Sequence, residues 1–446
     1  MKVFVKTFGC SANLADSHLM ETLIHNSKNY TLVNNIEDSD VVIINSCTVK
    51  QNAETKFWKT IRESKKLGKK VVAAGCVPQA DKLAVEKLVE QGIPVLGVRD
   101  VDKVIEILDA LAKGKVLVIN DSINKSYHDF ELLPDSVIGI VPINEGCLGN
   151  CTYCKTKFSR GNLLSYPPDR ILSQIENFLS KGVKEIWITS QDSGAYGYDL
   201  KGEKYLLPHL LKDILAIPKD FKIRLGMMNP NHAEKIIDDI LELMANDDRI
   251  FRFLHIPIQS ASDKVLRDMN RLYDSKTIYD LFSKIRAFDE KLTISTDVIC
   301  GFPTECEEDF DETFKFVETF QPEILNISRF WPRPGTKAAE LKPLYNQVPI
   351  QRAKKIRTLF REYSFRNQKK WLGWQGYALI DEVGKNNSLI ARNDYYKQIV
   401  IKDFDKLKSD ELKDVTFNET ANSFLGKRIK VKVVKTTCFD LRAEVL

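Results

Sequence analysis

The order of local patterns along this 446-residue chain predicts a mixed α/β protein in three parts. Two strand–helix alternations, over 1–115 and 133–366, each predict a mostly parallel sheet covered by helices. The last stretch, 368–446, turns to short strands with polar turns and predicts a small antiparallel β-barrel. Hydrophobic residues make up 43% and charged residues 28%, enough apolar surface for a sizeable core and no sign of disorder.

In the first part, Lys2–Lys6, Val41–Asn45, Lys70–Ala74, Pro94–Gly97 and Lys115–Ile119 are short β-branched runs. Helical periodicity lies between them, near Asn13–His25, Asn52–Leu67, Ala80–Gln91 and Val101–Lys113. Cys10, Cys47 and Cys76 each fall just past a predicted strand. Ligands of open α/β sheets sit beyond the carboxyl ends of the strands, so these three thiols are expected at one edge in space. Gly9 and Gly75 beside them would let the backbone turn close to a bulky group. A metal cluster on Cys10, Cys47 and Cys76 is the sharper reading, and three small packed residues at strand ends is the plainer one. A polar linker is expected from Asn120 to Asp135.

The second part repeats strand and helix six times. Its strands are Val137–Ile143, Glu185–Thr189, Lys222–Gly226, Phe251–Ile258, Leu292–Ile299 and Leu325–Trp331. Six units fall short of the eight that close a full barrel. Directly after the first strand stand Cys147, Cys151 and Cys154, spaced C-x3-C-x2-C. Three thiolates on one tight loop can hold three corners of a 4Fe–4S cube and leave the fourth iron open to substrate. A zinc site or a set of buried thiols is the alternative. The other strand ends carry Ser190 to Gly197, His255 to Ser262, Asp297 to Pro303 and Phe330 to Thr336, where a barrel carries its binding groups. Ser190, Asp192, Gln259, Ser260 and Asp297 are the cofactor-binding candidates there, and Tyr153 is a candidate aromatic wall between two of the cysteines. His255 alone reads as a core histidine, and Cys300, Cys306 and Cys438 read as structural thiols.

The third part follows a helix expected over Ile350–Trp371 and rich in Arg and Lys. Its strands are expected at Trp371–Glu382, Ser388–Ala391, Tyr395–Ile401 and Lys427–Lys435. Trp371, Trp374, Tyr377, Tyr395 and Tyr396, with Lys427, Arg428, Lys430, Lys432 and Lys435, combine stacking rings with cations. That combination points to single-stranded RNA.

The whole chain resembles the radical S-adenosylmethionine (SAM) methylthiotransferases. The resemblance runs through Lys6-Thr7-Phe8-Gly9-Cys10, Asn45-Ser46-Cys47-Thr48-Val49, Gly75-Cys76-Val77-Pro78-Gln79, the Cys147 loop, His255 to Ser260, Asp297 to Pro303 and Arg333-Pro334-Gly335-Thr336. Thr304 departs from the glycine common before Glu305. Cys-Thr-Tyr-Cys-Lys-Thr-Lys at 151–157 is similar to the archaeal and eukaryotic branch acting on N6-threonylcarbamoyladenosine in tRNA, with Lys155, Lys157 and Arg160 placed to face phosphate or the threonyl carboxylate.

The resemblance implies a partial (β/α)6 core, a terminal TRAM barrel, two 4Fe-4S clusters and SAM as both methyl donor and radical source. One cluster, on Cys147, Cys151 and Cys154, would cleave SAM to a 5′-deoxyadenosyl radical. The other, on Cys10, Cys47 and Cys76, would carry the sulfur inserted at C2 of adenine 37. It further implies tRNA, held at its anticodon loop, and a reductant protein as partners, with no DNA. No apolar run reaches bilayer length and nine cysteines argue against a disulfide framework, so a cytoplasmic protein without a membrane partner is expected. A ribosomal-protein aspartate as target, or a non-catalytic RNA-binding protein with structural metal, are the competing readings.

Overall fold

The computed structural model describes residues 1–49, 51–122, 132–133, 136–202, 204–402 and 421–446. Most of the expected linker, 123–131 and 134–135, lies outside the described residues.

The first sheet contains β1 (Lys2–Thr7), β2 (Thr31–Leu32), β3 (Val41–Ser46), β4 (Lys70–Gly75), β5 (Val95–Gly97) and β6 (Val118–Ile119). All neighbours pair in parallel, in the order β2-β1-β3-β4-β5-β6. The edge strand β2 carries too few residues for a readable alternation and was not expected. Helices α1 (Ser11–His25), α2 (Gln51–Lys66), α3 (Cys76–Ala80), α4 (Lys82–Glu90) and α5 (Val104–Ala112) cover the sheet. Met20, Ile24, Ile107 and Leu108 pack with Val41 and Ile43 on one face, and Phe57, Ile61 and Leu88 pack with Val42 and Ile44 on the other. Burial on both faces explains why β3 reads as an unbroken apolar run. The chain leaves β1 for β2 on one side and returns to β3 on the other. That reversal opens a crevice at the carboxyl ends of β1 and β3.

The second unit begins with β7 (Ile138–Pro142), followed by the short antiparallel pair β8 (Asn144–Glu145) and β9 (Leu164–Ser165) around α6 (Thr156–Arg160). The strands β10 (Glu185–Thr189), β11 (Lys222–Leu225), β12 (Phe253–His255), β13 (Thr293–Cys300) and β14 (Ile324–Arg329) follow. Ladders join β7-β10-β11 and β12-β13-β14, and parallel bridges Ile223↔Ile250 and Met227↔His255 join the two groups. The row runs in chain order from β7 to β14, with no ladder between its two ends among the described residues, so the barrel is partial.

Its outer layer is α7 (Pro168–Ser180), α8 (Leu207–Leu215), α9 (Pro230–Ala233), α10 (Ile237–Asn246), α11 (Asp263–Asp268), α12 (Ser275–Phe288) and α13 (Glu307–Phe320). The expected strand Phe251–Ile258 keeps only its middle. Pro257 has no N–H to donate and Gln259 sits at φ 63°, so the ladder ends at His255. At Thr304, the departure from glycine, the hydroxyl donates to Asp268 and the turn forms.

The long helix α14 (Gln347–Lys369) leads into a closed barrel of β15 (Gln375–Gly384), β16 (Ser388–Arg392), β17 (Gln398–Ile401), β18 (Arg428–Thr436) and β19 (Leu441–Val445). The barrel is not wholly antiparallel, because β17 and β19 pair in parallel. The expected start of β17 at Tyr395 moves to Gln398. The Asn393 side chain accepts the N–H groups of Tyr395 and Lys397, and Tyr396 turns to φ 57°. The barrel docks on the amino ends of the core strands. Lys222 pairs with Asp394 at 2.6 Å, Thr293 donates to the Tyr395 carbonyl at 2.7 Å, and Tyr396 packs on Phe251 and Phe253.

Gly139 in β7 shows how tightly the core is assembled. A Cβ there would come within 2.5 Å of the Phe178 ring and 3.2 Å of Ile186. Gly139→Ala is expected to lower core stability by about 1–3 kcal/mol, read as a lower denaturation midpoint.

Candidate active site

The crevice of the first sheet receives the three amino-terminal cysteines. Cys10 caps α1, Cys47 follows β3, and Cys76 opens α3. Gly75 holds φ 94°, and a side chain there would strike Asn45 Oδ1 at 2.3 Å and the Ser46 backbone at 2.6 Å. Only glycine lets β4 turn there so sharply. Asn13 ties the set together. Its Oδ1 accepts from Cys10 Sγ at 3.4 Å, and its Nδ2 reaches Cys76 Sγ at 3.7 Å. The Val49 N–H points at Cys47 Sγ at 3.4 Å. Burial pushes the Cys10 thiol up, with Arg160 opposing. Burial and the neighbouring Cys10 and Cys76 push Cys47 to about 12. A bound metal is what would turn such thiols into thiolates.

The second triad lies on the loop after β8. The N–H groups of Gly149 and Thr156 point at Cys147 and Cys154 Sγ, at 3.3 and 3.4 Å, and Arg271 Nη1 donates to Cys151 Sγ at 3.1 Å. Donors aimed at each sulfur suit iron-bound thiolates. Burial and the nearby Asp192 carboxylate push Cys147 to about 12. A cavity of about 590 Å³ opens against Cys147, Cys151, Cys154, Asn270 and Thr336, room for a small-molecule cofactor. Among the described residues no three His, Cys, Asp or Glu side chains close on a single ion. Three cysteines, each placed to bind a separate iron, are the donor set a cubane takes.

The two triads face one another. Arg160, at the end of α6, is buried between the sheets and donates to Asp16 of α1 at 2.7 Å and to Glu145 of β8 at 2.6 Å. Its charge bears on Cys10 and Cys47 alike. Lys155 pairs with Asp81 at 3.2 Å, and Ser11 shares a hydrogen bond with Thr189 at the end of β10. Arg333 donates to the Val49 carbonyl at 2.5 Å and to Glu54 at 3.2 Å, with Cys47 and Cys154 both within its field.

The remaining candidates fall into two groups. Tyr153 packs with Val265, Met269 and Phe302 beside the cysteine loop, its hydroxyl 3.5 Å from Arg271. Ser190 lies at the end of β10, where its hydroxyl accepts the Asp192 N–H at 3.0 Å. The buried Asp192 carboxylate is taken up by Asn229 and His232, both at 2.7 Å. Gln259 bonds through its backbone to Asp297 at 2.8 Å. Ser260 is buried against Thr313, and Asp297 holds His255 Nε2 at 2.5 Å. Asp192 and Ser260 are therefore engaged within the protein, while Tyr153 stands nearest the cysteines.

Residues 2–97 match the model of the uncharacterized protein family UPF0004, and residues 141–317 match that of the Radical SAM superfamily. The chain is 34% identical to a probable threonylcarbamoyladenosine tRNA methylthiotransferase of Pyrococcus horikoshii, over 95% of this chain and 98% of the relative. It is 38% identical to the threonylcarbamoyladenosine tRNA methylthiotransferase of Homo sapiens, over 90% of this chain and 69% of that one. The chain belongs to the threonylcarbamoyladenosine tRNA methylthiotransferase family. Among solved structures, the radical SAM methyltransferase TsrM of Kitasatospora setae superposes with a TM-score of 0.55 at 12% identity, covering 76% of this chain and 75% of that one, a likeness of fold. Radical SAM membership brings a 4Fe–4S cluster and SAM.

Two sequence expectations within the family's site are corrected. Lys155 and Arg160 do not face a substrate anion, because both turn inward to protein carboxylates; Lys157 is half-buried and donates to Asn150 at 2.9 Å. Most of the barrel aromatics are packing residues as well. Trp371 and Tyr396 are buried and Tyr395 is half-buried, which leaves Tyr377 exposed. Arg352 of α14 is spent on Glu305 and Glu307. Lys354, Arg357 and Arg361 of the same helix stay exposed, and so does one face of β18, where Ile429, Val431 and Val433 point inward and Arg428, Lys430 and Lys432 point out. Tyr377 pairs with Lys430 in the neighbouring strand.

Sequence reasoning missed Arg271 and Asn13, which are ordinary polar residues until the fold brings sulfur beside them. Replacing Arg160 by Leu leaves Asp16 and Glu145 buried without their cation. A loss of about 3–5 kcal/mol is expected from chemical denaturation, and lysine at 160 should restore only part of it, having one ammonium where two N–H groups are needed.

Proposed function

We propose that this chain adds a methylthio group to C2 of N6-threonylcarbamoyladenosine at position 37 of tRNA. The names of its relatives support the substrate. The observation that carries the reading is the pair of cysteine triads set face to face by Arg160. When bound, one cluster and SAM would supply the radical and the other cluster the sulfur. Cys147, Cys151 and Cys154 would hold the first, and Cys10, Cys47 and Cys76 the second. The chain's own part is geometric. Arg160, Lys155 and Arg333 fix the amino-terminal sheet over the mouth of the core, which keeps two reactive centres within reach of one base and limits water.

The cation row of β18 with Tyr377 supports RNA over a protein aspartate as target, since Arg428, Lys430 and Lys432 lie at the spacing of one strand face. In this reading the anticodon loop enters the mouth, and a separate protein delivers electrons to the cluster.

Mass spectrometry of tRNA nucleosides, after incubating the reconstituted protein with SAM and threonylcarbamoylated tRNA, tests the proposal. The methylthio product is expected, and its absence from active preparations would sink the reading. Cys151→Ala should abolish both SAM cleavage and product, whereas Cys47→Ala should leave cleavage and lose product. Replacing Arg428, Lys430 and Lys432 by Gln should flatten the dependence of tRNA affinity on salt by a slope of up to about 3, read by filter binding across ionic strengths.

A further inference from the structure

At the pole of the core opposite the cysteines, a cavity of about 580 Å³ opens between α12, the start of β14, the end of α14 and the terminal barrel. Catalytic groups of such barrels stand at the carboxyl ends of the strands, so this cavity is separate from the site described above. Its wall includes Phe320, Trp371 and Trp374, with the amide of Gln368 at the rim. Trp371 and Trp374 meet edge to face, 5.9 Å between ring centres.

Lys397 lines the same cavity and is only 7% exposed. Its Nζ stands 5.8 Å from the centre of the Trp371 ring. Glu323 is in its field without bonding to it, and its Oε2 accepts from Arg286 at 3.0 Å and from the Ile294 N–H at 2.8 Å. Lys370 at the rim is paired with Glu290. Among the described residues, no hydrogen-bond acceptor or carboxylate is recorded within bonding distance of Lys397 Nζ. A buried, unpaired ammonium is costly and lowers stability unless something compensates it. Burial pushes the Lys397 ammonium down to about 8, with Glu323 opposing and Arg286 adding to the shift.

An anion at Nζ, a planar group against the tryptophans and a hydrogen-bonding edge at Gln368 would meet all three features at once. We propose that this cavity binds a phosphorylated nucleoside, its phosphate on Lys397 and its base against Trp374. The cavity has the volume of an ordinary small-ligand site. The ligand is either a free mononucleotide or one nucleotide of a bound tRNA.

Equilibrium dialysis of labelled AMP against the full-length, cluster-loaded protein tests this, with Lys397→Met and Trp374→Ala as variants. Saturable binding is expected, weakened about tenfold or more in each variant. Adenosine and inorganic phosphate should each compete poorly, because each satisfies only half of the site. Affinity should fall as pH rises through about 8, since only the protonated Lys397 attracts the phosphate. Competition by unmodified tRNA would assign the nucleotide to RNA, and no competition would assign it to a free ligand. Lys397→Met should unfold at the same or a higher denaturant concentration than the parent, which separates lost binding from lost folding. AMP binding that is absent, or equal in parent and both variants, would overturn the proposal.

Discussion

The buried Arg160 guanidinium links the elements that carry the two cysteine triads. Arg160 ends the helix that follows the core cysteines, and it reaches Asp16 on the helix that follows Cys10. Its other nitrogen holds Glu145, two residues before Cys147. Two separately folded sheets are thereby referred to one planar group. A guanidinium suits this role because its two N–H pairs are rigid with respect to each other, so the carboxylates cannot slide independently. The cost of burying three charges is offset only when all three remain in place. The contact therefore contributes more to the relative position of the triads than to stability.

The sheet order explains the rest of the cysteine geometry. In the first sheet the reversal of chain direction falls between β1 and β3, and the thiols sit after β1, β3 and its neighbour β4. In the core the strands keep chain order, so the first strand's loop stays at one side of the mouth, open to the other sheet. Small residues permit the approach. Gly75 turns β4 aside, and Gly146 holds φ 73° before the core cysteines, where a Cβ would strike the Asn162 carbonyl oxygen at 2.0 Å.

Much of this was legible in the residues. The paired cysteine triads, the βα alternation and the terminal strands could be read because each is a local pattern, repeated. The long-range partners could not. Lys155 and Arg160 read as cations facing a substrate anion beside a cofactor loop, and only the packing of two sheets turns them inward. Trp371 and Tyr396 look like stacking platforms, but apolar burial in the barrel and against Phe251 claims them first. Asp192 sits at a strand end as expected, yet Asn229 and His232 arrive from a segment whose position no spacing in the sequence reveals. The shortened β12 and β17 were readable in principle, from Pro257 and from the turn chemistry of Asn393.

The barrel's seat on the core has a consequence for how a nucleic acid is measured. Asp394, Tyr395 and Tyr396 clasp the strands at their starting ends, whereas the cysteines crown the finishing ends. A strand of five residues spans roughly 17 Å, so a polynucleotide touched at both poles must bridge at least that thickness. Under the proposed function, a tRNA held on the barrel and presented to the cysteines would be gauged by that thickness.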